Sequence, residues 1–161
     1  MVGLVFVGIF LLIGLLIIWG VVQQFLTVLL VGKTWVEAMP AMPAPGERLQ
    51  LWLHQKGDLR INKAELAIEC VEVYSYGAGS SRVTKRDVIY EQVLATRESF
   101  RSDGSRPLLE GELHLPADAM HSFHASSNQV VWQVKAKLDI AGRPDVEDEF
   151  PIAVRPEVVA G

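Results

Sequence analysis

The chain changes its hydrophobic rhythm near residue 32. Up to that point apolar residues run almost without interruption, and residues 1–32 hold no charged side chain. From Lys33 onward apolar and polar positions alternate with a period of two, the spacing of a half-buried β-strand. The clearest case is QVVWQVKAKLDI. Val130, Trp132, Val134, Ala136, Leu138 and Ile140 share one face, and Val131, Gln133, Lys135, Lys137 and Asp139 the other. After the turn AGRPD, the stretch VEDEFPIAV returns with Val146, Phe150, Ile152 and Val154 on one face. An antiparallel hairpin that turns both apolar faces to one core sets Lys137 opposite Glu147 or Glu149, a favourable cross-strand pair. It also puts Asp148 on the inward face, where it needs a partner or a bulge.

Other stretches carry the same period. RLQLWLHQ aligns Leu49, Leu51 and Leu53, and LLEGELHLP alternates Leu109, Leu113 and Leu115 with Glu110, Glu112 and His114. AELAIECVEVYSY alternates through Leu66, Ile68 and Cys70, then changes phase at Val71 and Val73, which predicts a bulge or a strand that changes sheet. TWVEA reads as a first edge segment and MPAMPAPGE as a rigid extended connection. RESFRSDGSRP reads as a polar loop. YGAGSS is a turn, with too few glycines for a dinucleotide fingerprint and no helical pattern after it. Short strands over about 130 residues predict an all-β, immunoglobulin-like sandwich.

The segment Val2 to Val22 is long enough to span a bilayer, since about 20 helical residues cover a ~30 Å core. Trp19 near one end, with Gln23 and Gln24 after it, suits the membrane interface. One helix from Val2 to Val31 would reach ~45 Å, so the expectation is a span over residues 2–22 with a lipid-facing or packed extension. A signal peptide would start with basic residues and end in a small-residue cleavage site, and a core helix would show a polar face. The chain thus divides into a transmembrane helix with its juxtamembrane extension, residues 1–32, and a sandwich domain, residues 33–161. Lys33 and Arg48 follow the helix and nothing basic precedes it, so the positive-inside rule directs the domain to the cytoplasm as a single-pass protein.

Charge and chemistry narrow the function. The 15 basic and 19 acidic side chains give a net charge of −4, with no basic footprint for nucleic acid. Cys70 is the only cysteine, so no intrachain disulfide forms, and its apolar neighbours make it a buried strand residue. The loop ADAMHSFHASSN holds His121, Ser122 and His124. Its histidines, with His114 on the polar face of LEGELHLP, lack the ligand spacing of a zinc site. Ser122 beside His121 lacks a nucleophile elbow or oxyanion-hole signal. The run Glu147, Asp148, Glu149 reads as a solvated face. No catalytic residue, cofactor or metal is expected.

The order of motifs resembles an arrestin-like domain. A glycine-containing strand with Gly111 stops at Leu115 and Pro116, a loop with Ser122 follows, and then comes a strand with the aromatic Trp132. The earlier half, PAPGERLQLWLHQKGDLRINKAELAIECVEVY, is similar to the family's proline-glycine, strand, and strand with a cysteine and acidic residues. The resemblance covers roughly residues 33–155, one sandwich rather than the usual pair. It implies a non-enzymatic adaptor that binds protein partners through loops and sheet edges. The expected partner-binding loops are SYGAGSSRVTKRD, with Arg82, Lys85 and Arg86, and DAMHSFHASSN, with His121, Ser122 and His124. The expected function is therefore a membrane-anchored adaptor held in the bilayer by residues 2–22. The alternatives are a structural or assembly subunit of a membrane or envelope complex and a metal protein built on His114, His121 and His124.

Overall fold

The computed structural model describes residues 2–77 and 79–156, and the side chains of all of these except 2–7, 23–31 and 80. One helix, α1 (Val2–Val31), leads into β1 (Thr34–Met39), β2 (Arg48–Gln55), β3 (Leu59–Tyr76), β4 (Val83–Ser102), β5 (Leu109–His114), β6 (Phe123–His124), β7 (Asn128–Ile140) and β8 (Val146–Ile152). The helix runs unbroken to Val31, so the extension expected after residue 22 is part of the same helix. Among the described residues no helix is long and apolar enough to cross a membrane. The expected span over residues 2–22 begins outside the described side chains.

Two antiparallel sheets form. One has the order β1-β2-β5 and the other β4-β3-β7-β6, with β8 also paired to β7. The alternation read in the sequence becomes the core. Leu49, Leu51 and Leu53 of β2 and Leu109 and Leu113 of β5 face Ala64, Leu66, Ile68 and Cys70 of β3 and the even-numbered residues 130–140 of β7. Each buried aliphatic side chain contributes about 1.5–3 kcal/mol through burial. The β7–β8 hairpin has the predicted register, with Lys137 opposite Glu147 and Ala136 opposite Asp148.

Gly111 sets how closely the two sheets approach. A Cβ there would stand 2.9 Å from the Leu94 Cβ of β4 and 3.2 Å from the Leu66 Cδ2. A methyl group would therefore push β5 off β4, an overpacking cost of about 1–3 kcal/mol.

Two expectations need correction. The segment RESFRSDGSRP is a loop only in its second half, because β4 runs to Ser102. The bulge expected at Cys70/Val71 is present as a register shift against β4, but the phase of β3 itself changes earlier. Leu59 and Ile61 face inward, Asn62 and Lys63 are both exposed, and from Ala64 the even residues face inward. At Val71 the strand keeps its phase and pairs without a break to Val131. What changes there is the outer face, where Val71 is itself buried. The irregularity belongs to β4, where Leu94 and Ile89 are the extra residues at register shifts opposite Leu66/Ala67 and Cys70/Val71. Such bulges re-aim an edge strand.

The sheets differ in length. The strands of the first have 6, 8 and 6 residues, against 18 in β3 and 20 in β4. At ~3.4 Å per residue, the β3–β4 ribbon outruns the cover above it. Burial falls away beyond Val71, so the uncovered part is the end carrying the turn between β3 and β4. That end is called distal below, and the end where α1 joins is called proximal.

Candidate interaction surface

The distal end is built by the β3–β4 hairpin with β6 and the start of β7. In β3 the even residues continue the inward-facing side past the point where the short sheet stops. The inner row beyond the core therefore holds Glu72, Tyr74 and Tyr76, opposite Asp87, Lys85 and Val83 of β4. Tyr74 donates its hydroxyl to Asp87 at 3.0 Å, and that bond to a carboxylate holds the Tyr74 pKa above its ordinary value. Tyr74 and Tyr76 lie ring on ring at 6.3 Å, and the Lys85 ammonium sits 5.8 Å over the Tyr76 ring. Phe123 of β6 pairs with Val130, which puts its exposed ring on the same side. The result is an open platform of aromatic and charged side chains.

A cleft of about 260 Å³ lies where platform and core meet, lined by Cys70, Ile89, Tyr90, Asp118, Met120 and Trp132 among others. Trp132 forms its floor. Its indole N–H donates to the Met120 carbonyl at 2.7 Å, and its ring meets Tyr90 at 5.5 Å. Burial, with the nearby Glu72 charge, pushes the Cys70 thiol up to about 11. A thiol held in its neutral form is a poor nucleophile. The cleft is apolar with one acidic rim residue, a geometry suited to receiving an apolar side chain.

The two segments expected to contact partners do meet. Arg82 donates to the Ser126 carbonyl at 2.8 Å, and the Ser75 N–H donates to Ser127 at 2.8 Å. The side chains expected to act together, however, do not. Lys85 and Arg86 belong to β4 and not to a loop, so they point to opposite faces. Lys85 joins the aromatic platform. Arg86 turns to the outer face and lies 3.2 Å from Glu69 and 3.2 Å from Glu149. Glu69 is only 2% exposed, and it also accepts from the Gln133 amide and lies 3.9 Å from Lys135. Lys135 continues to Glu147 at 3.0 Å, and this contact raises its pKa. This network ties β4, β3, β7 and β8 together across the outer face, and the alternation pattern does not reveal it.

The remaining candidates separate too. The Ser122 hydroxyl accepts from the Val154 N–H at 2.9 Å and faces the Ile152 carbonyl at 3.4 Å, fastening the chain after β8 to the loop. His121 and His124 are exposed. His124 pairs with Gln129 on the outer face of the long sheet, whereas His114 pairs with Arg48 in the other sheet. Among the described residues no group of three or more His, Cys, Asp or Glu side chains is placed to hold a metal ion. The residues that sequence reasoning missed are Tyr74, Tyr76, Tyr90, Met120 and Phe123. The signal available for the first two was EVYSY, which continues the inward parity of Cys70.

No protein-family model matches the chain, and no curated protein matches it. Among solved structures it is similar to the crystal structure of Spo0M, a sporulation control protein from Bacillus subtilis. The TM-score is 0.51 at 20% identity, over 77% of this chain and 49% of that one. The chain thus spans about half the length of that protein. A likeness at this identity speaks to the fold alone, and it supports an arrestin-like β-sandwich coarsely.

Proposed function

We propose that residues 33–161 form a non-enzymatic adaptor module that binds protein partners at its distal end and is held at a membrane by α1. The observation that carries this reading is the length mismatch between the sheets. It leaves Tyr74, Tyr76, Lys85 and Phe123 on an uncovered inner face beside the cleft of Tyr90, Met120 and Trp132. Aromatic side chains with a polar handle are the groups most often used as anchors at protein interfaces. The tether reading is supported by the absence of charge in residues 1–32 and by the unbroken apolar run of residues 2–22 in the sequence. Holding the module at the membrane raises its effective concentration toward membrane partners.

The test is in-cell crosslinking of the full chain through a photoreactive residue at position 76 or 82, with identification of what is captured. A small, reproducible set of membrane proteins supports the adaptor. Capture of its own copies alone replaces it with a self-assembling subunit, and no capture above a control at exposed Glu98 sinks both. Protease treatment of intact cells reads the orientation, because cleavage of the domain would place it outside.

A further inference from the structure

The proximal end has a different chemistry. It comprises residues 32–33, 56–60, 101–108 and 139–145, which follow α1 or close the strands beside it. These segments carry six basic side chains (Lys33, Lys56, Arg60, Arg101, Arg106 and Arg143) against four carboxylates (Asp58, Asp103, Asp139 and Asp145). The rest of the chain has nine basic and fifteen acidic side chains. An acidic protein thus has one basic end, and it is the end joined to the apolar helix.

The fold draws these scattered residues together. Lys33 lies two residues after α1, and its carbonyl accepts the Lys56 N–H at 3.3 Å. Gly104, with φ +72°, packs so tightly on Lys56 that a Cβ would stand 2.9 Å from the Lys56 carbonyl oxygen. The loops carrying Lys56 and Arg106 are therefore pressed against each other. Arg60 and Arg101 stand directly opposite across β3 and β4, a like-charge placement that opposes folding unless an anion relieves it. Asp58 takes both hydrogen bonds from Arg101, each 2.7 Å, and among the described residues Arg60 makes no such pair. On the other side of Arg60 its carbonyl accepts from Ala141, in the turn that holds Arg143. The Arg143 Nη1 is buried with no hydrogen-bond partner among the described residues. Arg60, Asn62, Phe100 and Arg101 line a cleft of about 600 Å³ on the β3–β4 side of this end.

We infer that this end is a docking surface for anionic phospholipid headgroups in the leaflet that α1 enters. Charge complementarity and continuity with the helix select that occupant. Guanidinium groups pair with phosphate through two parallel hydrogen bonds, and juxtamembrane basic residues are drawn to anionic lipid within about one Debye length of ~10 Å. Of the four carboxylates, Asp58 is taken up by Arg101, Asp103 by Ser105 and Asp139 by Asn62. The inference rests on the tether proposed above.

The full chain would be reconstituted in nanodiscs of phosphatidylcholine alone, or of phosphatidylcholine mixed with phosphatidylglycerol. Amide exchange would then be followed across residues 56–62, 99–108 and 141–145. Phosphatidylglycerol should slow exchange there roughly tenfold, and raised salt should reverse the effect. Lys56→Glu with Arg106→Glu, both on exposed loops, should abolish the protection. Arg48→Glu with Arg155→Glu, the same charge change at the distal end, should keep it. Equal protection in both lipids, or protection that survives the Lys56/Arg106 reversal, overturns the inference and leaves the tether intact. Protection produced by inorganic phosphate over phosphatidylcholine alone overturns the lipid assignment. Extraction of the chain from the discs by alkaline carbonate overturns the tether and, with it, the placement of this end in a leaflet.

Discussion

The two ends of the sandwich invert each other. Arg82, Lys85 and Arg86 form a basic cluster in the sequence, and the fold takes it apart. One bonds a backbone carbonyl, one sits over a tyrosine, and one neutralises a buried carboxylate on the opposite face. At the proximal end, residues as far apart as Lys33 and Arg143 carry no sequence cluster, and the fold gathers them. Charge proximity along a strand means little, because neighbours point apart. Proximity across strands depends on register, which the hydrophobic pattern and the turn fix within a hairpin such as β7–β8 but which a local stretch does not contain for strands far apart in the chain.

The sharpest way to break the distal half of this contrast is Trp132→Ala. It removes the cleft floor and the bond to Met120, and should lower unfolding stability by about 3–5 kcal/mol in a denaturant titration of the domain. Trp132→Phe should lose much less and preserve the fold, so partner capture can still be read. Cys70 probes the same cleft gently. With its pKa pushed from 9.0 to about 11, its thiolate fraction near pH 8 falls about a hundredfold. Labelling by a disulfide reagent should be slower than in the unfolded chain by at least that factor. Rapid labelling of the native chain would mean the cleft floor is open.

The dispersal of the basic cluster is tested by three single changes. Arg86→Met should cost about 1–3 kcal/mol, since it strips buried Glu69 of a charged partner. Arg82→Ala and Lys85→Ala should each stay within about 0.5 kcal/mol. Equal losses for all three would mean that the cluster acts as a unit. The smallest effect belongs to the proximal end. The Arg101 hydrogen bonds hold Asp58 below its ordinary 3.8, so the pair stabilises the folded state above pH 3.8, and that gain is lost as pH falls through the lowered value. Arg101→Gln should be slightly less stable than the parent at neutral pH, and the two acid melting curves should approach each other below pH 3.8 and meet only below the lowered Asp58 value.

Much of the fold was legible because burial imposes a period of two on β2, β5, β7 and β8. Parity narrowed the partner of Lys137 to Glu147 or Glu149, and the register selects Glu147. β4 was not legible, and its bulges say why. Ile89 and Leu94 reset the alternation, cutting 20 residues into pieces too short to read. The platform was hidden for another reason. Tyr74 and Tyr76 continue the inward parity of β3 and so look like core. Only the shortness of the opposing strands leaves them uncovered. Asp148 was correctly placed on the inward side of β8. It is half-buried on an edge strand that also contains Pro151, and an inward charge and a proline both discourage another strand from joining.

The bulges of β4 have a consequence for recognition. A smooth free edge offers a ladder of backbone amides and carbonyls, which any extended peptide can join with little regard to its sequence. β4 denies that ladder at Ile89 and Leu94, and Ser99, at φ +52°, interrupts it once more. A partner is left with the faces, where side chains make the contacts. Discrimination at this surface is therefore written in the partner's residue types, not in the willingness of its backbone to extend.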